Sequence, residues 1–214
     1  MRSTLPLSFA LVLVAVGCAA TPQSAVKGSV AYARTSPVST EITGERCVTI
    51  GRGFRGDAHD SVIAERPFEG DQNDVVYAGN RKGHRQTLLR FDLASIPQGA
   101  VITSAKLRLQ RLFELGGRSS MHKVTAAWNE RNVSWQSFGA AYESAPVAQL
   151  PDGEQLIVNI TDLVRTWHEG GANHGIVLNQ ESGISAFVSS EGALDERPRL
   201  EVCYTGLGDD ITGG

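Results

Sequence analysis

Apolar and polar residues alternate along much of this chain, which is the pattern of half-buried β-strands. The clearest stretch covers 105–112, where Leu107 and Leu109 share one face while Lys106 and Arg108 share the other. Ten segments of this kind, each bounded by turn signals, are predicted to form strands: 47–50, 61–64, 74–78, 87–93, 102–113, 121–127, 155–160, 175–179, 184–189 and 199–204. The pattern therefore predicts an all-β domain.

One segment departs from the alternation. Leu163, Val164 and Trp167 have helical spacing, and a Gly-Gly pair follows them as a stop signal. We therefore predict one short helix over 162–169. Many short strands with a single short helix favour a jelly-roll-like β-sandwich.

The beginning of the chain differs in composition from the strand-rich part. Residues 1–17 carry one charge ahead of an apolar run, as a secretory signal peptide does. The run ends in Ala-Val-Gly followed by Cys18, which resembles a bacterial lipobox and predicts lipidation of that cysteine. Residues 18–44 are rich in Ala, Ser, Thr and Pro, and are predicted to form a lipidated tether. The alternative is an ordinary secreted protein cleaved near Ala20.

Length and charge limit the number of domains and the class of ligand. The chain has 214 residues, which suits one domain, predicted over 45–204 with a flexible tail at 205–214. Its net charge of −3 and pI of about 6.0 lack the basic excess of a nucleic-acid-binding protein. We expect a monomer in the bacterial cell envelope, on the outer membrane or cell surface, or outside the cell. Membrane contact would be through the lipid anchor only.

Three cysteines are present, and lipidation of Cys18 would leave Cys47 and Cys203 as a pair. In both predicted terminal strands the apolar residues occupy the opposite face, so each cysteine points away from the core. A disulfide between neighbouring terminal strands is therefore predicted, in an oxidising compartment. The alternative is two unpaired thiols.

Three blocks resemble one known family. They read RQTLLRFDL and IPQGAVITSAKL within 85–107, WNERNVSW at 128–135, and VNITDLV through RPRL within 158–200. Their order and spacing are similar to those of the DNRLRE family, also called carbohydrate-binding module family 96, here in a bacterial lipoprotein form. The resemblance implies a jelly-roll sandwich. Members are often attached to polysaccharide-acting enzymes or found on surface proteins, and some bind acidic polysaccharides such as alginate.

A basic run precedes the longest of these blocks. Arg81, Lys82, His84 and Arg85 are predicted to bind ligand, because guanidinium groups recognise carboxylates through paired hydrogen bonds. A local basic strip of this kind suits a uronate polymer in spite of the net negative charge. The alternative is a solvated loop, with Arg85 serving as a structural partner of internal carboxylates.

Aromatic rings are the other candidates, because sugar-binding proteins stack sugar faces on them. Trp128 and Trp135 are predicted ligand contacts. Both lie inside the family's structural motifs, so packing in or near the core is the alternative for each. Trp167 lies on the apolar face of the predicted helix and is assigned to the core.

A metal site has one candidate. Asp71, Asn73 and Asp74 lie with Glu69 in a glycine-containing loop, and hard oxygen ligands on a loop suit calcium. The alternative is a solvated acidic loop. No zinc-ligand spacing, nucleophile elbow or phosphate-binding loop occurs, so no catalytic residues are predicted and the protein is not expected to be an enzyme.

These observations lead to one main functional hypothesis: a non-catalytic, surface-anchored carbohydrate-binding module whose partner is a polysaccharide, with an acidic polymer favoured. A structural or protein-binding lipoprotein of the same fold, without sugar affinity, is the second. A polysaccharide-degrading enzyme is the third.

Overall fold

The computed structural model describes residues 42–67 and 74–207. The strands of this part are β1 Ile42–Ile50, β2 Ala58–Ala64, β3 Val75–Asn80, β4 His84–Phe91, β5 Val101–Leu115, β6 Ser120–Lys123, β7 Ala148–Gln149, β8 Gln155–Asn159, β9 Ile176–Asn179, β10 Ile184–Val188 and β11 Arg199–Leu207. The helices of the same part are α1 Trp135–Phe138 and α2 Thr161–His168.

These strands form one antiparallel sheet that curls strongly, like half of a barrel. One half contains β2, β4, β9, β6 and β7, and the other contains β3, β10, β5, β11 and β1, with β8 beside β5. The hairpin between β3 and β4 links the halves, because Asn80 pairs with His84 there. β5 is long enough to pair first with β11 and then with β10.

The main core lies inside the curl and receives side chains from both halves. Leu89 and Leu178 enter it from one half, and Leu107, Phe187 and Val202 enter it from the other. Because side chains alternate along a strand, the neighbours of these residues point outward. The outer face of β4 nevertheless stays covered, because a second cluster packs on it.

This second cluster contains Leu88 of β4 and Val177 of β9, with Trp128 and Phe138 packed on top. The segment that follows β6 and carries α1 therefore acts as a lid on the outer face of β4. This arrangement explains why β4 reads as a nearly continuous buried run instead of an alternating strand.

The predicted all-β class is confirmed, and each of the ten predicted strands overlaps one in the structure. The prediction of one helix was incomplete, because α1 is a second helix within the described residues. Four residues are too few to show helical periodicity, and α1 depends on a local capping box instead. In it, Ser134 Oγ accepts from Ser137 N, and Ser137 Oγ accepts from Ser134 N.

The predicted disulfide is confirmed as well. Cys47 of β1 lies directly opposite Cys203 of β11, with Cα atoms 4.0 Å apart. Leu200, Val202 and Tyr204 point into the core, so the bond lies on the outer face, as their alternation with Cys203 predicted. No helix in the described ranges is both long enough and apolar enough to cross a membrane.

Candidate functional site

The β3–β4 turn presents the first two residues of the predicted basic run to solvent. Lys82 has a φ of +65°, a left-handed conformation that a lysine adopts only where a tight turn requires it. Arg81 and Lys82 are both exposed, and neither forms an ion pair with any residue that the structure describes. Within the described part of the chain, no carboxylate neutralises these two charges.

A third cation lies beside the same turn, although it was not among the residues predicted from the sequence. The aliphatic stem of Arg66 is close to Gly83, because a Cβ atom added at that glycine would lie 3.7 Å from the Cγ and Cδ of Arg66. Glu65 accepts a hydrogen bond from the backbone N–H of His84 at 3.3 Å, which fixes the end of β2 against the turn. The β2–β4 pairing thus brings Arg66 to the predicted site.

His84 and Trp135, 51 positions apart in the chain, meet at the start of β4. Their rings stack with centroids 5.8 Å apart and planes inclined by 23°. Asn80 Nδ2 lies 2.9 Å from His84 Nε2 and orients the imidazole. Trp135 is the first residue of α1 and is only partly buried. His84 and Trp135, both predicted as ligand contacts, therefore form one partly exposed aromatic surface. It lies beside the exposed Arg81 and Lys82, which we call the cationic turn.

Arg85 lies on the opposite face of β4 from His84 and is buried. Its Nη1 donates a hydrogen bond to the backbone carbonyl of Arg81 at 2.8 Å. This contact holds the turn from beneath, so the guanidinium of Arg85 supports the conformation in which Arg81 is exposed.

Trp128 is 8% exposed and is held by His174 and Arg90. Its indole N–H donates to the carbonyl of His174 at 2.8 Å, and the Arg90 guanidinium lies 5.2 Å from the ring centroid. Arg90 also donates to the Trp128 carbonyl. The ring lines an open pocket of about 500 Å³ together with Asn129 and Phe138. These contacts and its low exposure are those of a residue that packs in the structure.

The predicted calcium ligands Asp71 and Asn73, with Glu69, lie outside the described residues. Asp74 is exposed directly before β3, where its backbone carbonyl accepts from Ser189 N at 2.9 Å. The calcium site stays a prediction.

A charged cluster that was not predicted from the sequence lies around Arg52. Its guanidinium pairs with Glu130 at 3.2 Å, with Asp57 at 3.8 Å and with Glu191. His59 Nδ1 lies 3.2 Å from the same Glu130 carboxylate. We call these five residues the Arg52 cluster. It joins three segments that are far apart in sequence, and only tertiary structure brings the partners together.

Asp60 lies next to this cluster but points toward the core. It is 5% exposed, and its two oxygens accept from Ser190 N at 2.8 Å and Ser190 Oγ at 2.7 Å. Burial raises the pKa of Asp60 above its ordinary value of 3.8, although the Ser190 hydrogen bonds oppose that shift. Carboxylate oxygens of Asp60, Glu130 and Glu191 lie within 4.8 Å of one another. Arg52 supplies the positive charge among them.

The raised pKa of Asp60 predicts how stability changes with pH. Well below pH 3.8 the carboxyl is protonated in both states, and as pH rises the unfolded state ionises first. Ionisation of the unfolded state therefore lowers the free energy of unfolding as pH rises from the unfolded-state pKa to the folded-state pKa. Relative to Asp60→Asn, the wild type should lose stability across that window. Urea unfolding below pH 3.8 and at neutral pH measures the free energy of unfolding of both proteins. If the wild type became more stable relative to Asp60→Asn at neutral pH, the raised pKa of Asp60 would be contradicted.

The cationic turn and the adjoining aromatic pair therefore lie together at one end of the β3–β4 hairpin. A family model for carbohydrate-binding module family 96 matches residues 62–204, and the chain belongs to that family. The match covers β3 to β10 entirely, together with both helices and the cationic turn.

A more distant similarity connects the chain to a curated animal protein. It is 33% identical over 94 residues to the Protein DVR-1 homolog of Strongylocentrotus purpuratus. These residues are 44% of this chain and 20% of that protein, so the chain spans about a fifth of the relative's length.

Proposed function

We propose that this protein is a non-catalytic carbohydrate-binding module of jelly-roll type that binds an acidic polysaccharide at the β3–β4 turn. The observation that carries the proposal is the exposed pair Arg81 and Lys82, which has no ion-pair partner among the described residues, in a member of a carbohydrate-binding family. Carboxylates of a uronate polymer would meet these cations, with Arg66 beside them. The stacked rings of His84 and Trp135 would contact the sugar.

Residues of the predicted site have different roles in this proposal. Arg81, Lys82, His84 and Trp135 contact the ligand, whereas the buried Arg85 positions the turn. Trp128 packs the lid over β4 and is one of the residues that line the adjacent pocket. Affinity would therefore be mainly ionic, with stacking as a smaller contribution.

The three converging carboxylates of Asp60, Glu130 and Glu191 are assigned a structural role because of the contacts that hold them. Asp60 is the one with a raised pKa, yet both its oxygens are engaged by Ser190 and it is nearly inaccessible. Glu130 and Glu191 are paired with Arg52. A general acid must reach the bond that it protonates, and this arrangement instead joins loops.

Anchoring is a separate part of the proposal. It depends on Cys18 and the stretch 18–44, of which 18–41 lies outside the described residues, and we propose that lipidation there attaches the domain to the cell envelope. The Cys47–Cys203 disulfide supports an exported location, because such bonds persist in oxidising compartments.

Binding to alginate should be sensitive to salt. The wild-type protein is expected to be retarded by alginate in affinity electrophoresis at low salt, and progressively less as ions screen charges beyond a Debye length of about 10 Å at 0.1 M. The double variant Arg81→Ala with Lys82→Ala should lose most of that retardation. Its melting temperature should hardly change, because exposed charges contribute little to stability.

A matched control removes two exposed cations elsewhere. Arg46→Ala with Lys106→Ala makes the same change in net charge on β1 and β5, and it should leave retardation close to that of the wild type. If both double variants weaken retardation equally, net charge would account for binding and the turn would not be the site. Strong binding to a neutral glucan that salt does not affect would also contradict the ionic mechanism.

A further inference from the structure

His84 is the one histidine in the basic run 81–85, and its side chain is partly exposed at the first position of β4. Imidazole is the side chain whose charge ordinarily changes between about pH 5 and about pH 8. The exposed Arg81 and Lys82 precede it directly in the turn, with one glycine between. The positive charge that a ligand meets at the cationic turn therefore depends on whether His84 carries a proton.

The described elements that meet at His84 carry more cations than carboxylates. The segment after β2, the turn and the start of β4 contribute Arg66, Arg81, Lys82 and Arg85 as cations and Glu65 as the carboxylate. The helix α1, which packs Trp135 on the imidazole, has the sequence WQSF and carries no titratable side chain. Opposite charges within about 4–6 Å favour the charged form of a group, so a polyanion lying on these cations would favour a protonated His84.

The stack on Trp135 accommodates the imidazole in both charge states. The two ring centroids are 5.8 Å apart and the planes are inclined by only 23°. The face of an indole ring attracts a cation over about 6 Å, and it packs equally well against a neutral ring. Protonation therefore does not require His84 to leave its position beside the turn.

The contact between Asn80 and His84 suits both charge states as well. The side-chain amide of Asn80 lies 2.9 Å from Nε2 of the imidazole. A neutral Nε2 accepts a hydrogen bond from the amide N–H, whereas a protonated Nε2 donates one. Asn80 is exposed, so its amide can turn and present the oxygen as the acceptor. The imidazole thus has a hydrogen-bond partner with or without its second proton.

We propose that His84 is a proton-dependent cation of the binding site, so that the acidic polysaccharide binds more tightly as pH falls from about 8 to about 5.5. This inference rests on the proposed function and deepens it, because it adds regulation of the same site by pH. A ligand that favours the protonated imidazole is itself favoured by that state to the same extent. Carboxyl groups ordinarily titrate near about pH 4, so the polymer keeps its negative charges throughout this range.

Two substitutions of His84 should remove the pH dependence in opposite directions. The wild type is expected to bind alginate about three- to fivefold more tightly at about pH 5.5 than at about pH 8, as one partly exposed ion pair would provide. His84→Gln is uncharged throughout and should bind at both pH values with the wild-type affinity of the higher pH. His84→Arg is charged throughout and should approach the wild-type affinity of the lower pH at both.

The experiment is calorimetric titration of the full chain with alginate at low salt and at both pH values. His168→Gln is the control, because His168 is also partly exposed but lies on α2, and this variant should keep the wild-type pH dependence. Asp60 is present in every variant, so its titration affects all of them alike. Titrations at about pH 6.5 in two buffers of different ionisation heat count the protons taken up on binding. The wild type should take up a fraction of a proton for each bound site, and His84→Gln should take up none.

Each outcome decides a different point. Absence of wild-type binding at both pH values would overturn the proposed function and the role of His84 with it. Wild-type binding that does not change with pH, or a pH dependence that His84→Gln retains, would overturn the role of His84 alone. Circular dichroism at both pH values shows whether each variant is folded. If His84→Gln did not fold, wild-type binding without proton uptake would still contradict the proposal.

Discussion

Reduction of the Cys47–Cys203 disulfide is expected to lower the free energy of unfolding by about 5 kcal/mol. The bond joins residues 156 positions apart, which in the chain-entropy model is among the largest constraints that one disulfide can place on an unfolded chain. It also joins β1 to β11, the only strand with which β1 pairs in the described part of the sheet. Loss of the bond should therefore loosen β1 first.

The measurement is urea unfolding of the wild type with and without a thiol reductant, beside the double variant Cys47→Ser with Cys203→Ser. The reduced wild type and the variant should unfold at similar urea concentrations, and reductant should not affect the variant. Hydrogen exchange should be fastest in 42–50 after reduction. Equal stability of the oxidised and reduced proteins would show that the bond contributes little.

Replacement of Trp128 by alanine should produce the second-largest effect, a loss of about 3–5 kcal/mol in folding stability. The substitution removes a buried ring from the cluster on β4, its hydrogen bond to the His174 carbonyl and its contact with the Arg90 guanidinium. Alginate affinity per folded molecule should change little, because most of the ring is inaccessible.

Trp135→Ala is the matched control. Trp135 belongs to the same lid but is partly exposed, so its replacement should cost only about 1 kcal/mol of stability and should weaken alginate binding through the loss of the His84 stack. Thermal unfolding and affinity electrophoresis of both variants give the comparison. If Trp128→Ala kept its stability and lost binding, Trp128 would be a ligand contact and Trp135 the structural ring.

The strands and the disulfide could be predicted from sequence because local patterns determine them. Leu107 and Leu109 alternate with charged residues, and this period of two predicts a strand without knowledge of its neighbours. The same alternation placed Cys47 and Cys203 on outward faces of terminal strands. β7 was missed because a two-residue strand has no period, and α1 was missed because its capping box lacks the usual Glu or Gln.

The arrangement of the candidate site could be predicted only in part, since the exposure of a side chain depends on what packs over it. Arg81, Lys82 and Arg85 read as one basic run, yet the turn exposes the first two while β4 points Arg85 inward. Trp128 and Trp135 look equivalent in the motif, yet the lid buries one ring and leaves the other against His84.

Local periodicity and motifs of neighbouring residues were enough to predict the strands, the family and the cationic turn, because each of these depends on residues that are close in the chain. Which distant side chains meet was decided at the tertiary level. The Arg52 cluster and the stack of His84 on Trp135 each join segments that sequence separates widely. Their contacts follow from strand register and from the curl of the sheet. Both of these depend on packing over the whole domain.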